Sequence, residues 1–253
     1  MTVSELYRIL DTKIPRALSC EWDNDGLMCC PDGKKEVKRV LIALDATADV
    51  IKTAIDGGYD LIVSHHPLIF KGIKGIADES LIGGKAIDLI KNGISVFSFH
   101  TRLDALEGGV NDTLAELCGV KKPVAFGEDA IGRIGDLSEP CDAYTLAKRV
   151  KEALGCEGVF VADCGRTCKK VAVLGGGGAD DLDAAVAAGA DTYISGELKF
   201  HSLTDAPDMG INLIEAGHFY TEQPVCDVLK KMIEEIDESI VCDVTSSNRI
   251  KLI

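Results

Sequence analysis

Positive charge is in short supply: 27 Lys and Arg stand against 41 Asp and Glu, a formal net charge of −14. That balance argues against nucleic acid and anionic membranes as partners, since both select a basic footprint. No apolar run approaches the roughly 20 residues of a membrane span, and the opening MTVSELYRIL lacks the basic-then-apolar pattern of a secretory signal. The expected compartment is the cytoplasm. The ten cysteines include no CxxC pair, which excludes a zinc ribbon and a thioredoxin-type motif. Cys164 and Cys168 come nearest to a ligand pair, and Cys29-Cys30 is the pair to watch for redox chemistry. Most of the ten read as small buried hydrophobes of a reducing compartment. Aromatic residues make up only 5% of the chain, so Ala, Gly, Ile and Val must carry the core of an ordinary soluble protein. At 253 residues that core belongs to one large α/β domain or two small ones.

Histidine is scarce too, and its placement is informative. His65, His66, His100, His201 and His218 each sit at the end of an apolar run or just past it. Asp104 follows His100 by four residues and Glu222 follows His218 by four. Adjacent imidazoles together with carboxylates make the mixed donor set that borderline divalent metals prefer, so these segments are expected to meet around a pair of ions.

The pattern along the chain supplies a frame for them. Thr2-Val3-Ser4-Glu5 fits a capping box for a first helix that ends before Pro15. Glu21 to Leu27 is a polar turn holding the only tryptophan, Trp22, read as an anchored turn ahead of a site residue. Lys38 to Leu44 reads as a strand, Val50, Ile51, Ala54 and Ile55 as a helical face, and Asp60 to Val63 as the next strand. The histidine pair then emerges at a strand's carboxyl end, where open parallel sheets place ligands. Ser80 to Lys91 reads as a helix, and Ile94 to Phe99 alternates as a strand that delivers His100. A helix through Val110 to Leu117 follows. Strands alternating with helices predict a mostly parallel sheet.

The second half repeats the first. At an offset of 131, Val171-Ala172-Val173 falls on Val40-Leu41-Ile42, Asp191 on Asp60 and Ser195 on Ser64, so Gly196-Glu197 corresponds to His65-His66. Further on, Gly210 to Ile214 matches Gly93 to Phe97, and one inserted residue brings His218 onto His100 and Glu222 onto Asp104. The expected architecture is α/β, two related lobes from an internal duplication, spanning 1–125 and 126–253, with the C-terminal segment free to pack back on the first lobe. The metal site is expected in the cleft between lobes. Pro123 to Pro140 is read as the start of the second lobe, Thr145 to Leu154 as a helix and Val159 to Val161 as a strand. Gly175 to Gly178 has the placement of a phosphate-cradling loop but lacks a Walker lysine, and reads equally as a tight turn.

The strings EWDNDGL, SHHPLIFKGIK, FSFHTRLDALEGGVND, IGRIGDL, SGELKFH and EAGHFYTE run in order over nearly the whole chain. In them the sequence resembles the Nif-three-like dinuclear-metal proteins, some of which carry the name GTP cyclohydrolase 1 type 2 homologue. The resemblance implies a Nif-three-like fold, a homohexamer, and two divalent ions bound by His65, His66, Asp104, His218 and Glu222. Arg102 stands where the family usually shows Asn, and the inserted domain of longer members is absent. Asp104 and Glu222 are the natural bridging ligands. Zinc, iron, manganese and cobalt all tolerate such ligation, so the metal is not readable.

For proton transfer the candidates are His100, Glu197 and His201. His100 reads equally as a partner that orients a ligand, and His201 reads first as a satisfied core residue. Lys71 and Arg102 are candidate substrate contacts. The expected function is a metal-dependent hydrolase acting on a small molecule, a nucleotide or related heterocycle, through a metal-bound hydroxide. The alternative is a non-catalytic metal-binding or metal-handling scaffold.

Overall fold

The computed structural model describes residues 1–253. In chain order the elements are α1 (Val3–Lys13), β1 (Gly26–Cys29), β2 (Arg39–Ala43), α2 (Ala48–Asp56), β3 (Leu61–Ser64), α3 (Leu81–Lys91), β4 (Ser95–Ser98), α4 (Thr101–Ala105), α5 (Val110–Leu117), β5 (Val120–Phe126) and β6 (Gly132–Cys141). There follow α6 (Ala143–Leu154), β7 (Phe160–Ala162), β8 (Cys168–Leu174), α7 (Leu182–Ala187), β9 (Thr192–Ser195), α8 (Phe200–Met209), β10 (Asn212–Glu215), α9 (His218–Glu222), α10 (Val225–Ile236) and β11 (Val241–Val244). Local chemistry sets several starts. Thr2 and Glu5 close a reciprocal capping box on α1. The side chains of Thr47, Ser80 and Asp142 accept the first free backbone N–H groups of α2, α3 and α6.

The chain forms two compact units, Met1–Leu103 with Val225–Arg249, and Asp104–Pro224 with Ile250–Ile253. The sequence division at 125 falls later than this one. Strand β5 pairs with β6 and so belongs to the second sheet, while β11 pairs with β2 in the first.

In the first unit the sheet order is β1-β4-β3-β2-β11. Strands β4, β3, β2 and β11 run parallel and β1 is antiparallel. All four residues of β3 and of β4 are buried, the signature of strands covered on both faces. Leu41, Ile62 and Val96 pack with Val50, Ile51 and Ala54 of α2 and Leu89 of α3. On α1, the Tyr7 ring meets Phe97 at 5.1 Å.

The second sheet, β5-β6-β8-β9-β10-β7, is mixed. Only β8, β9 and β10 are parallel; β5, β6 and β7 are antiparallel to their neighbours. The expected mostly parallel sheet therefore holds for the first unit and not for the second. The reason is connection length: Gly127 to Ile131 is far too short for a parallel crossover and closes a β5–β6 hairpin instead. Pro123 and Pro140 lie in stretches where the ladder register shifts, the positions a strand proline tolerates. The period of two sorts the core onto two faces. Val171, Val173, Ile194 and Ile214 pack with α5 and α6 residues, and Ala172, Leu174, Tyr193 and Leu213 pack with residues of α7 and α8.

Candidate metal site

At the carboxyl edge of the first sheet, three loops bring together three imidazoles and a carboxylate. Asp45 follows β2, His65-His66 follows β3 and His100 follows β4. The chain is held as it leaves the sheet: His66 N–H donates to Leu44 O at 2.9 Å and Phe99 N–H to Ser64 O at 3.0 Å. Ser64 Oγ donates to His66 O at 2.8 Å, with Ser98 Oγ 2.9 Å away. The ring centroids of His65, His66 and His100 are 5.0–5.7 Å apart, and one ligand atom from each lies within 4.8 Å of the others.

Each imidazole is oriented through its Nδ1. His65 is fully buried and its Nδ1 is 2.9 Å from Phe99 O. A carbonyl oxygen only accepts, so this nitrogen carries a proton and Nε2 is the atom left for ligation. His66 Nδ1 meets Asp45 Oδ1 at 2.7 Å and His100 Nδ1 meets Asp23 Oδ1 at 2.9 Å. Carboxylate or carbonyl behind imidazole is the arrangement that fixes tautomer and ring angle in metal-ligating histidines. Asp23 is enclosed, which raises its pKa, yet hydrogen bonds from His100 and Thr101 outweigh burial and hold it well below the usual carboxylate range. It stays ionised as the acceptor for His100.

The second unit builds a smaller donor set at the equivalent strand ends. His218, the first residue of α9, has Nε2 3.0 Å from Glu222 Oε2 and Nδ1 3.1 Å from Glu197 Oε1. Glu222 is buried and so is Asp104. Asp104 O accepts weakly from Asn111 Nδ2 at 3.4 Å, and Asn111 Oδ1 accepts from Gly175 N–H at 2.8 Å. The glycine loop packs tightly against this donor set. Gly176 N–H donates to Thr221 Oγ1 and Gly178 N–H to Ser195 Oγ, so these donors are engaged within the protein. A Cβ on Gly176, whose φ is +66°, would fall 2.1 Å from Glu222 Oε1, and one on Gly196 would fall 2.8 Å from His218 Cα. Only glycine lets the backbone approach this closely.

The remaining sequence candidates lie as follows. Lys71 is exposed on the segment after β3, and His201 is exposed on α8. Arg102 is fully buried instead of standing at a rim. Its Nε donates to Asp25 Oδ2 at 2.9 Å and its Nη1 to Asp11 Oδ1 at 2.7 Å, an internal pairing that engages two of the three guanidinium nitrogens. Glu197 touches His218 itself. Asp23 and Asp45 were not singled out in the sequence. A usable signal exists for Asp45, which stands two residues past the end of β2, the strand beside β3. Cys164 and Cys168 both contact the Asn212 side chain, and none of the ten cysteines is in a disulfide.

The donor chemistry fits a borderline divalent cation: imidazoles oriented through Nδ1 by oxygen acceptors, together with carboxylates. The fold and donors thus define an α/β protein with a candidate histidine-rich metal site. The sequence matches the family described as Duf34/NIF3 (NGG1p interacting factor 3) over residues 1–251, and the chain belongs to that family. It is 36% identical over 251 residues to a Clostridium perfringens protein named GTP cyclohydrolase 1 type 2 homolog, covering 96% of this chain and 94% of the relative. A Staphylococcus aureus hypothetical protein of known crystal structure is 28% identical, with a TM-score of 0.87 over 100% of this chain and 99% of that one. A Bacillus cereus protein related to NIF3 shares the fold at 22% identity, with a TM-score of 0.87 over 100% and 99% of the two chains. No helix is long and apolar enough to cross a membrane.

Proposed function

We propose that the protein is a dinuclear metal-binding hydrolase acting on a nucleotide or related heterocycle, with His65, His66, Asp104, His218 and Glu222 as ligands and a homohexamer as the working assembly. The observation that carries the reading is the trio of imidazoles whose Nδ1 atoms are all tied to oxygen acceptors while their ligand atoms converge within 4.8 Å. The relatives' name, GTP cyclohydrolase 1 type 2 homolog, supports the substrate class. When bound, divalent ions would polarise a substrate oxygen and acidify water. The chain's own residues have separate tasks. Phe99 O and Asp45 hold His65 and His66 with Nε2 presented for ligation. Asp23 holds His100 beside them, as an orienting partner or proton carrier. Glu197, exposed and bonded to His218 Nδ1, keeps that ring's Nε2 on Glu222 and is available for proton transfer.

Elemental analysis of native protein, followed by steady-state assays of metal-loaded enzyme against GTP and a panel of phosphoester, amide and cyclic substrates, tests this reading. Two ions per chain with turnover are expected. Two ions without turnover on any substrate would leave a metal-handling scaffold. Absence of metal would remove both.

A further inference from the structure

Beside the imidazole trio, two large aromatic side chains stand open to solvent on backbone that is firmly held. Trp22 is 61% exposed and Phe70 45%. On either side of Trp22 the turn is anchored. Cys20 N–H donates to Thr101 Oγ1 at 3.0 Å, and Asp23 accepts from Thr101 N–H and Oγ1–H besides facing His100. Asn24 Nδ2 donates to Ile69 O, which ties this turn to the segment carrying Phe70. The indole and phenyl centroids are 6.1 Å apart at 75°. Each also faces His100, at 6.2 Å and 76° for Trp22 and at 6.0 Å and 90° for Phe70. Three rings at near right angles form a corner next to the proposed metal ligands.

Large aromatics are usually drawn under cover by the hydrophobic effect, and here anchored backbone holds them out. Lys71 and Lys74, both exposed, follow Phe70 by one and four residues. We propose that Trp22, Phe70 and His100 form a stacking corner for the planar ring of a nitrogen heterocycle, with Lys71 and Lys74 placed for its phosphates. This rests on the reading of the neighbouring histidines as a metal-dependent site and adds the group that would select the substrate. A flat ring can lie on one wall and meet the other two edge-on, the geometry aromatic pairs favour. An anionic lipid surface fits poorly, because Glu21, Asp23 and Asp25 flank Trp22 in a chain of net charge −14.

Trp22 is the only tryptophan, so intrinsic emission excited at the red edge reports on this corner alone. The full-length protein, before and after chelation, is titrated with guanosine, GTP, tripolyphosphate and choline, and metal content is measured on the same samples. Saturable quenching by guanosine and GTP, and none by tripolyphosphate or choline, is expected. Phe70→Ala should raise the guanosine midpoint about tenfold, the weight of one stacked base, with metal content unchanged. No quenching by guanosine, equal quenching by choline or tripolyphosphate, or an unmoved midpoint in Phe70→Ala would overturn the proposal. Emission already shielded from acrylamide in the native protein would overturn it as well, by showing the corner covered by another copy. Metal without quenching sinks the corner alone, and quenching without metal sinks only the metal reading.

Discussion

Strands β2-β3-β4 of the first unit and β8-β9-β10 of the second are the same parallel frame with different chemistry at its edge. Each frame carries an antiparallel strand beside its last member, β1 on β4 and β7 on β10. At the ends of β3 and β9, His65-His66 stands in one and Gly196-Glu197 in the other; after β2 and β8, Asp45 stands opposite Gly176. The first unit thus assembles imidazoles with acceptors behind them. The second assembles one imidazole with carboxylates, and it needs glycine where the first can carry side chains, because Glu222 and His218 crowd the loop. A shared backbone frame fixes where donors stand; the residues at strand ends decide which donors they are.

Breaking the imidazole side should give the largest effect. His65→Ala, which removes a fully buried ring, is expected to cut metal affinity by more than about 100-fold, whereas His201→Ala, exposed on α8, should leave it unchanged; competition with a chelating dye measures both. On the carboxylate side, Gly176→Val forces a branched side chain into a left-handed conformation and against Glu222. A stability loss of about 2–4 kcal/mol is expected from strain and overpacking, read by urea unfolding, and a value below about 1 kcal/mol would show that the loop yields easily.

The partners behind the imidazoles sharpen the comparison further. Asp45→Ala should weaken metal binding about 10–100-fold without removing a ligand. Asp23 has a depressed native pKa, so its stabilising effect is complete above the ordinary carboxylate pKa near about 4 and is lost as pH falls below that toward the native value. Asp23→Asn should therefore lower stability at neutral pH and flatten the acid limb of the stability profile. An unchanged acid limb would contradict the His100 and Thr101 hydrogen bonds as the cause. The smallest effect concerns helix starts. Thr47 caps α2, while its counterpart α7 has no side-chain cap, so Thr47→Ala should cost about 1 kcal/mol, seen as a small shift in the urea midpoint.

Much of this frame was legible in the sequence. The strands read at Asp60 to Val63 and Ile94 to Phe99 coincide with β3 and β4 to within one residue at each end, because buried parallel strands are uninterrupted apolar runs. The helices with Thr, Ser or Asp at their start were legible for the same local reason. Strands β1 and β11 and the β5–β6 hairpin were not, since β1 and β11 each bury a single residue and β5 exposes most of its length. Such strands gain their pairing from neighbours, not from pattern. Asp23 was read as part of a turn because its partner His100 lies 77 residues away. Arg102 reads as a rim charge in the sequence because its partners Asp25 and Asp11 lie 77 and 91 residues away.

The amino-acid sequence by itself determined the two α/β frames and the residue types at their strand ends, because hydrophobic period and capping act over a few neighbouring positions. The tertiary structure alone decided which nitrogen of His65 carries the proton, which carboxylates stand behind His66 and His100, and why positions 176 and 196 must be glycine. Those are matters of contact across gaps of 20 residues and more, and only the packed chain closes such gaps.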